Sequence, residues 1–320
     1  MTMAYSKISV LTIMSLALAV FIPASAQPYV LQGPHIIQLI TEKLGQANSL
    51  FVLQRVIFYN IDPEPEILDE TSDDRSAFDT TEDLYDQPVE IDETTAAPVE
   101  TGSIQLQESI RYLFSRAFRS DIVSDTNQRI YVYNNGRTLT VIDGIIARAT
   151  ESRFDLYKDL LLYRSRETLL ERLMTLGIDV TVSSLGKFDD RLALVIGAEF
   201  PDETVPQIWV DKETFQPQRL MIPSAGGDRS GILEIRYIDW QPIGKIWYPM
   251  QIEFIQDGTT VRTVEVSNYQ INPDFSKDIF DIGRLMSEYR QSDQMPGHSA
   301  NQEDLSEVQK TIEEFKKIFE

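Results

Sequence analysis

The sequence contains no cysteine and only two histidines, His35 and His298. Without a thiol, the chain forms no disulfide, builds no thiolate metal cluster and has no cysteine to which a lipid could be attached. Two distant histidines provide neither a metal cluster nor a Cys–His pair, and the Gly-x-Ser-x-Gly elbow of hydrolases is missing. We therefore predict a non-enzymatic protein with no catalytic, cofactor or metal site. Acid–base hydrolysis by carboxylates from distant strands stays open at this point.

Positive charge is also scarce, since 29 Lys and Arg residues face 50 Asp and Glu residues, a net charge of −21. Residues 62–100 hold fifteen of the acids and one arginine, Arg75, so most of the excess belongs to this stretch. A chain without a basic surface is a poor match for nucleic acid. Prolines and the absence of periodicity predict that residues 62–102 are an acidic, disordered insert loop. This insert is either a solvated spacer or a segment that binds a partner.

Long hydrophobic runs are missing except near the N-terminus, where Lys7 precedes an apolar run over residues 8–22. The run ends in Pro23-Ala24-Ser25-Ala26, and this pattern predicts a secretory signal peptide, residues 1–26, cleaved after Ala26. The run is short for a bilayer span, although an uncleaved anchor helix is the alternative. We expect an exported, periplasmic, non-lipidated protein that is peripheral rather than integral to a membrane.

Residues 207–271 are rich in β-prone segments separated by turns such as Gly226-Gly227-Asp228 and Asp257-Gly258. Asp-Gly and Gly-Gly turns suit hairpins, so this stretch predicts an antiparallel meander. In residues 246–254 the even positions are apolar, whereas Gln251 and Glu253 are polar. One face of this strand is therefore expected to line an apolar interior while the other meets water.

The rest of the chain supplies further strands and several helices. Pro34 opens an amphipathic helix, residues 49–59 form a strand, and Asn135-Gly136 is a strong hairpin signal. Residues 154–162 and 167–176 have helical spacing and either pack as core or form a lid, and residues 178–185 and 191–198 are expected to form a hairpin. A linker over residues 283–303 leads to an amphipathic helix, 304–320. That helix folds back on the sheet, pairs with its own copy or docks on a partner.

A set of motifs in this stretch resembles the periplasmic outer-membrane lipoprotein carrier and sorting family (LolA/LolB-like). They are Trp209-Val210-Asp211-Lys212-Glu213-Thr214, Gln216-Pro217-Gln218-Arg219-Leu220, Tyr237, Gly244-Lys245-Ile246-Trp247-Tyr248-Pro249, Asn272-Pro273 and Asp278-Ile279-Phe280-Asp281. The resemblance implies an α+β, mainly antiparallel fold: an unclosed half β-barrel of about eleven strands with helices as its lid. Residues 27–61 would supply the first helix and strand, and residues 103–282 the remainder of the half-barrel.

The same resemblance implies a periplasmic binding protein that holds lipid or lipoprotein acyl chains in the concave apolar face, in transport, as a chaperone or as a sensor in outer-membrane biogenesis. The residues expected to line the acyl cavity are Leu113, Phe114, Arg116, Phe118, Leu169, Leu173, Tyr237, Tyr248, Met250, Ile252 and Phe254. Where the family usually carries an Arg-Pro pair, this chain has Phe114 with Arg116 close by, which argues against ATP-coupled hand-off. The alternative is an envelope interaction or scaffold module with a filled barrel, acting through residues 62–102 and 304–320.

Overall fold

The structure, a computed structural model, describes residues 30–59, 103–124, 127–147, 151–223 and 231–291. The signal segment, the acidic insert and the helix expected over 304–320 lie outside these ranges. The helices are α1 (Gly33–Leu44), α2 (Asp159–Leu162), α3 (Arg166–Thr175) and α4 (Ile282–Glu288), with 3-10 helices at Arg153–Lys158 and Lys277–Phe280. The strands are β1 (Ser49–Tyr59), β2 (Ser103–Leu113), β3 (Ala117–Val123), β4 (Gln128–Asn134), β5 (Arg137–Ile142), β6 (Ile145–Ala147), β7 (Ser183–Phe188), β8 (Arg191–Ile196), β9 (Gln207–Asp211), β10 (Pro217–Pro223), β11 (Ile232–Ile243), β12 (Ile246–Gln256), β13 (Thr259–Ile271) and β14 (Arg290–Gln291).

The described strands form one fourteen-stranded sheet in the order β14-β6-β5-β4-β3-β2-β1-β13-β12-β11-β10-β9-β8-β7. Neighbours are antiparallel apart from the short β14–β6 pair, and β7 and β14 stand at opposite edges, so the sheet does not close on itself. The mainly antiparallel, unclosed fold with helices is thus confirmed. The sheet has more strands than the expected number of about eleven, in part because β6 and β14 are too short to show a two-residue alternation.

The connection between β6 and β7 decides where the candidate site lies. These strands stand near opposite edges of the sheet, so the chain that joins them has to cross one face. Its residues 151–175, which we call the lid, comprise the 3-10 helix Arg153–Lys158 together with α2 and α3. We call the face of the sheet that the lid covers the concave face, because the family resemblance implied a concave apolar face under a lid.

Side chains alternate between the two faces of β12 as the sequence indicated. Tyr248, Ile252 and Phe254 are at most 1% exposed and point to the covered side, whereas Gln251 and Glu253 on the other side are half-exposed. Glu253 lies opposite Thr263, and Gln251 lies opposite Glu265, which pairs with Arg55 of β1. The outer face therefore carries polar partners in register, which is the arrangement expected of a sheet with one wet side.

Helix α1 packs against β12 and α3 and buries Ile36, Ile37, Ile40 and Leu44. It ends where its chain passes very close to the β11–β12 turn. Gly45 has a φ of 73° there, and a Cβ at this position would lie 2.1 Å from the Lys245 carbonyl oxygen. A glycine is required because only a residue without a Cβ combines this φ with this approach.

Two local expectations differ from the structure. The strand expected over 178–185 begins only at Ser183, because Asp179 accepts hydrogen bonds from the backbone and hydroxyl of Thr181 and fixes a turn. The expected linker over 283–303 begins with ordered elements, α4 and β14. Ile282 and Leu285 of α4 are buried against the outer face of β4 and β5. The apolar residues of this helix therefore pack in a hydrophobic cluster with these strands.

Candidate functional site

The residues expected to line an acyl cavity fall into three groups. Those buried on the concave face or on the lid are Phe118, Leu169, Leu173, Tyr237, Tyr248, Ile252 and Phe254. Leu113, Phe114 and Met250 are half-buried, and Arg116 lies exposed in the turn between β2 and β3. The structure thus brings the aromatic members of the set onto one surface and leaves Arg116 outside it.

The lid contacts this surface directly through aromatic rings. The ring of Tyr157 lies 5.8 Å from that of Phe254 and 6.4 Å from that of Phe118, both in edge-to-face geometry. Phe154 meets Phe254 in the same way at 5.6 Å, and the Tyr237 hydroxyl donates a hydrogen bond to the Tyr157 carbonyl oxygen at 3.0 Å. The described side chains of the lid therefore occupy the apolar surface on which an acyl chain was expected.

The sequence of the lid explains why it folds as it does. Ser152 caps the 3-10 helix, since its hydroxyl accepts a hydrogen bond from the Phe154 amide at 3.2 Å. Ser165 caps α3 through the Thr168 amide at 3.3 Å. Leu169 and Leu173, one turn apart on α3, are both fully buried, as are Leu160, Leu161 and Leu162 of α2.

Four charged side chains fasten the lid, and we call them the latch: Glu151, Lys158, Asp159 and Arg172. The ammonium of Lys158, which is 0% exposed, donates to Glu151 and lies 3.2 Å from Asp159. Arg172 bridges the same two carboxylates, with Nε 2.7 Å from Asp159 and Nη2 2.6 Å from Glu151. The Tyr131 hydroxyl of β4 donates to Glu151 at 2.6 Å, so the latch joins the lid to the sheet.

Lys158 and Glu151 favour their charged forms in spite of their burial. Desolvation alone would lower the pKa of Lys158, but attraction to Asp159 and Glu151 outweighs it and raises that pKa. For Glu151, desolvation would raise the pKa, and attraction to Lys158 and Arg172 outweighs it, so its pKa falls to about 2. At Asp159 desolvation outweighs attraction to Lys158 and Arg172 and raises the pKa, so the pKa shifts favour the charged form at Glu151, Lys158 and Arg172 only.

A second polar group lies on the concave face among apolar neighbours. Glu108 accepts hydrogen bonds from Gln54 at 2.6 Å and Ser120 at 2.5 Å, and Arg262 lies 3.4 Å away. Sequence reasoning missed this group. Gln54 lies on the same face of β1 as Val52 and Val56, because side chains alternate between the two faces of a strand. The alternation in the sequence therefore indicates that Gln54 is buried.

Arg164, between α2 and α3, is the functional candidate that the sequence analysis did not consider. It is 4% exposed, and its guanidinium stacks over Phe114 at 4.5 Å. The cation beside Phe114 therefore comes from the lid, not from the β2–β3 turn that carries Arg116. Its local signal is weak, since an arginine between two short helices usually marks a solvated loop.

Neither a membrane-spanning helix nor a cluster of metal ligands emerges from the described part of the chain. No helix there is both long and apolar enough to cross a bilayer. No three side chains among His, Asp and Glu are grouped there to hold a metal ion.

Comparison with known proteins gives structural likeness only. No family model and no curated protein matches the sequence. Among solved structures, a LolA superfamily protein from Nitrosomonas europaea is 13% identical, with a TM-score of 0.46 over 78% of this chain and 98% of its own. A putative outer membrane lipoprotein-sorting protein domain from Vibrio parahaemolyticus is 9% identical, with a TM-score of 0.44 over 79% and 97%. A DUF1329 family protein from Desulfovibrio piger is 13% identical, again with a TM-score of 0.44 over 79% and 97%.

The first two of these proteins carry the family description that the motifs in residues 207–281 predicted. The likeness to these two proteins is one of structure, at 13% and 9% identity.

Proposed function

We propose that the protein is a non-enzymatic, lid-gated binding protein for the acyl chains of lipids or lipoproteins in the bacterial envelope. The observation that carries this proposal is the apolar concave surface occupied by the lid's own side chains and fastened by a charged latch. In this proposal an acyl chain takes the place of Phe154 and Tyr157 when the lid opens. The expected export signal places this activity in the periplasm.

The packing free energies of the lid and of an acyl ligand on this surface are similar in magnitude. Burial of apolar surface contributes about 0.8 kcal/mol for each methylene group. An acyl chain of about fourteen methylenes therefore gains roughly 11 kcal/mol before the costs of association and lid opening. That gain is comparable to what the displaced aromatic and aliphatic side chains lose, so neither state dominates by packing alone.

The latch makes an opening lid physically reasonable. Buried ion pairs contribute little net stability, because desolvation of the charges offsets their attraction, and apolar residues of similar volume often stabilise a core more. A permanent plug is better built from apolar groups. When the lid opens, Glu151 leaves Tyr131, and the latch groups, which all lie in the lid, regain contact with water, which lowers the cost of opening.

The proposal is tested by asking what the protein carries. Protein purified from the envelope of its native host is extracted with organic solvent, and the extract is analysed by mass spectrometry. Delipidated protein is then titrated with a fluorescent acyl probe. We expect co-purified acyl lipids and saturable probe binding that native lipid extract competes away. Protein that is consistently empty and that also rejects acylated peptides contradicts the proposal.

A second candidate is an interaction module of the envelope that keeps the half-barrel with a filled interior. The observation in its favour is that Phe118, Tyr248 and Phe254 are already covered by the lid. Under this candidate, partners bind through residues 62–102 or 304–320. Pull-downs that are lost on deletion of residues 62–102, from a protein that binds no acyl probe, support this candidate over the first.

A further inference from the structure

Arg164 is held in place by groups outside the latch. Its Nη1 donates to the Leu44 carbonyl oxygen at the end of α1 at 2.9 Å. Its backbone carbonyl accepts from the Gln46 side chain at 2.9 Å, and its amide donates to the Ser115 hydroxyl at 3.3 Å. These bonds fix Arg164 to α1 and to the β2–β3 turn. Opening of the latch therefore leaves this side chain where it is.

Two N–H groups of this guanidinium, those of Nε and Nη2, are buried and have no hydrogen-bond partner among the described residues. A guanidinium is planar, and its Nε–H and Nη2–H point in parallel from one edge. That edge matches two oxygens of a carboxylate or phosphate in a bidentate arrangement. Burial lowers the pKa of Arg164 to about 10, so the group is still a cation at neutral pH. A buried cation whose two N–H donors on one edge lack acceptors destabilises the protein, unless a ligand supplies the acceptors.

The surroundings of Arg164 add to this reading. The hydroxyls of Tyr112 and Tyr248 lie 3.2 Å apart, and the Tyr112 ring stacks on Phe114, over which the guanidinium lies. Burial, the main cause, raises the pKa of Tyr112 well above its usual value, so this hydroxyl keeps its proton. One hydroxyl of the pair uses its hydrogen on the other, which leaves one O–H free to donate. The apolar surface around Tyr248 and Phe254 continues from this point along β12.

Arg262, the other buried arginine of the concave face with unpartnered N–H groups, shows what distinguishes Arg164. Its Nη2 already lies 3.4 Å from the Glu108 carboxylate. Its remaining atoms, Nε and Nη1, do not share an edge of the guanidinium. Arg262 is thus a structural cation with a carboxylate of its own. Arg164 alone of the two offers an open bidentate edge.

We infer that Arg164 is the head-group subsite of the ligand, so that the ligand is an amphiphile with an acyl tail on the concave face and an oxyanion head on Nε and Nη2. This inference rests on the proposed function and narrows its ligand class. The oxyanion belongs to a free fatty acid or to a phosphorylated lipid, because carboxylate and phosphate share the bidentate chemistry. A neutral head of the same chain length leaves the edge unpaired and binds more weakly.

The test uses the full chain after signal removal, delipidated, with four probes of equal chain length: laurate, lauryl phosphate, lauryl alcohol and methyl laurate. Affinities are measured by displacement of a fluorescent acyl probe. We expect the anionic probes to bind at least about tenfold more tightly than the neutral ones, as bonds to a charged donor imply. The stronger of laurate and lauryl phosphate identifies the source of the oxyanion.

Two substitutions separate this subsite from general charge effects. Arg164→Met should abolish the preference for anionic probes and leave the affinity for lauryl alcohol unchanged. Arg164→Lys should keep only part of the preference for anionic probes, since an ammonium has no bidentate edge. Arg116→Gln, which removes the exposed arginine of the neighbouring turn, should keep all of it. If Arg164→Met does not fold, the four probes on the unsubstituted protein and the Arg164→Lys variant decide.

The outcomes distinguish this inference from the proposed function. Equal binding of all four probes to the unsubstituted protein overturns the head-group subsite and leaves the acyl-binding proposal standing. A preference that survives Arg164→Met also overturns the subsite. No binding of any probe contradicts the acyl-binding proposal itself.

Discussion

Substitution of Glu151 by glutamine perturbs the latch and leaves unchanged every residue that was expected to line the acyl cavity. Glu151 accepts from Lys158, from Arg172 at 2.6 Å and from Tyr131 at 2.6 Å. Glutamine keeps the size of the side chain and one carbonyl acceptor, but it removes the negative charge that two cations share. The closed lid, in which the Lys158 ammonium is buried, should therefore be destabilised relative to the open lid, in which water solvates the same groups.

The size of the effect follows from two considerations. Hydrogen bonds to charged groups contribute about 1.5–3 kcal/mol each, and glutamine retains part of them. The pKa of Glu151 falls from 4.5 to about 2, which corresponds to roughly 3 kcal/mol of interaction in favour of its charged form. We expect Glu151→Gln to destabilise the closed lid by about 2–3 kcal/mol. Where the closed form dominates, the apparent affinity for an acyl ligand should rise about 30- to 150-fold.

Two measurements check this prediction together. Titration with a fluorescent acyl probe gives the apparent affinity, and amide hydrogen exchange of residues 153–175 reports on lid opening. Both should change in Glu151→Gln, while exchange in the central strands β1 and β2 stays slow. The matched control is Arg55→Gln, which breaks an exposed pair with Glu265 on the outer face and should leave affinity and lid exchange unchanged. Faster exchange of the lid with unchanged or weaker acyl binding would refute the lid-exchange reasoning.

Two further outcomes are expected. Because the pKa of Glu151 is depressed, its charge contributes to stability above about pH 4.5, and this contribution is lost as the pH falls towards about 2. Urea titrations of the native chain and of Glu151→Gln give the free energy of unfolding of each protein. The difference between the two free energies should shrink as the pH is lowered across this window. Gly186→Ala should destabilise the chain by about 1–3 kcal/mol in denaturant unfolding, because a Cβ there would lie 2.6 Å from the buried ring of Trp209. Gly283→Ala is the control, since its nearest contact would be 3.4 Å; a loss as large as that of Gly186→Ala would contradict the crowding argument.

Much of the sheet could be predicted because its signals are local. The Asn135-Gly136 and Asp257-Gly258 turns both adopt the positive φ that these hairpins need, and the alternation in β12 gives the correct inner face. The same alternation assigns Gln54 to the interior. Local signals do not identify the partner of such a residue. Glu108 meets Gln54 only because β2, which follows the acidic insert in the chain, pairs with β1.

The latch could not be predicted, for a related reason. In the sequence, Lys158, Asp159 and Arg172 look like solvated positions of two short helices. They lie inside because the chain between β6 and β7 crosses a face of the sheet and brings these helices together. Fold-level reasoning fixes this crossing only once the strand order is known, since a different order would leave β6 and β7 adjacent and the helices on the surface.

The latch and the segment at Arg164, which lies between Asp159 and Arg172 in the chain, therefore have different physical roles. The latch residues are joined to one another by ion pairs and to β4 by the Tyr131 hydroxyl, and water competes well for charges that become exposed. At Arg164 the chain is instead tied by three hydrogen bonds to α1 and to the β2–β3 turn. In the proposed opening these three bonds stay intact, so the side chain with the free bidentate edge is already in place when the apolar surface is uncovered. Binding of an anionic head then needs no second rearrangement of the protein. We therefore expect the effect of Glu151→Gln on affinity and the effect of Arg164→Met on head-group preference to be independent and additive.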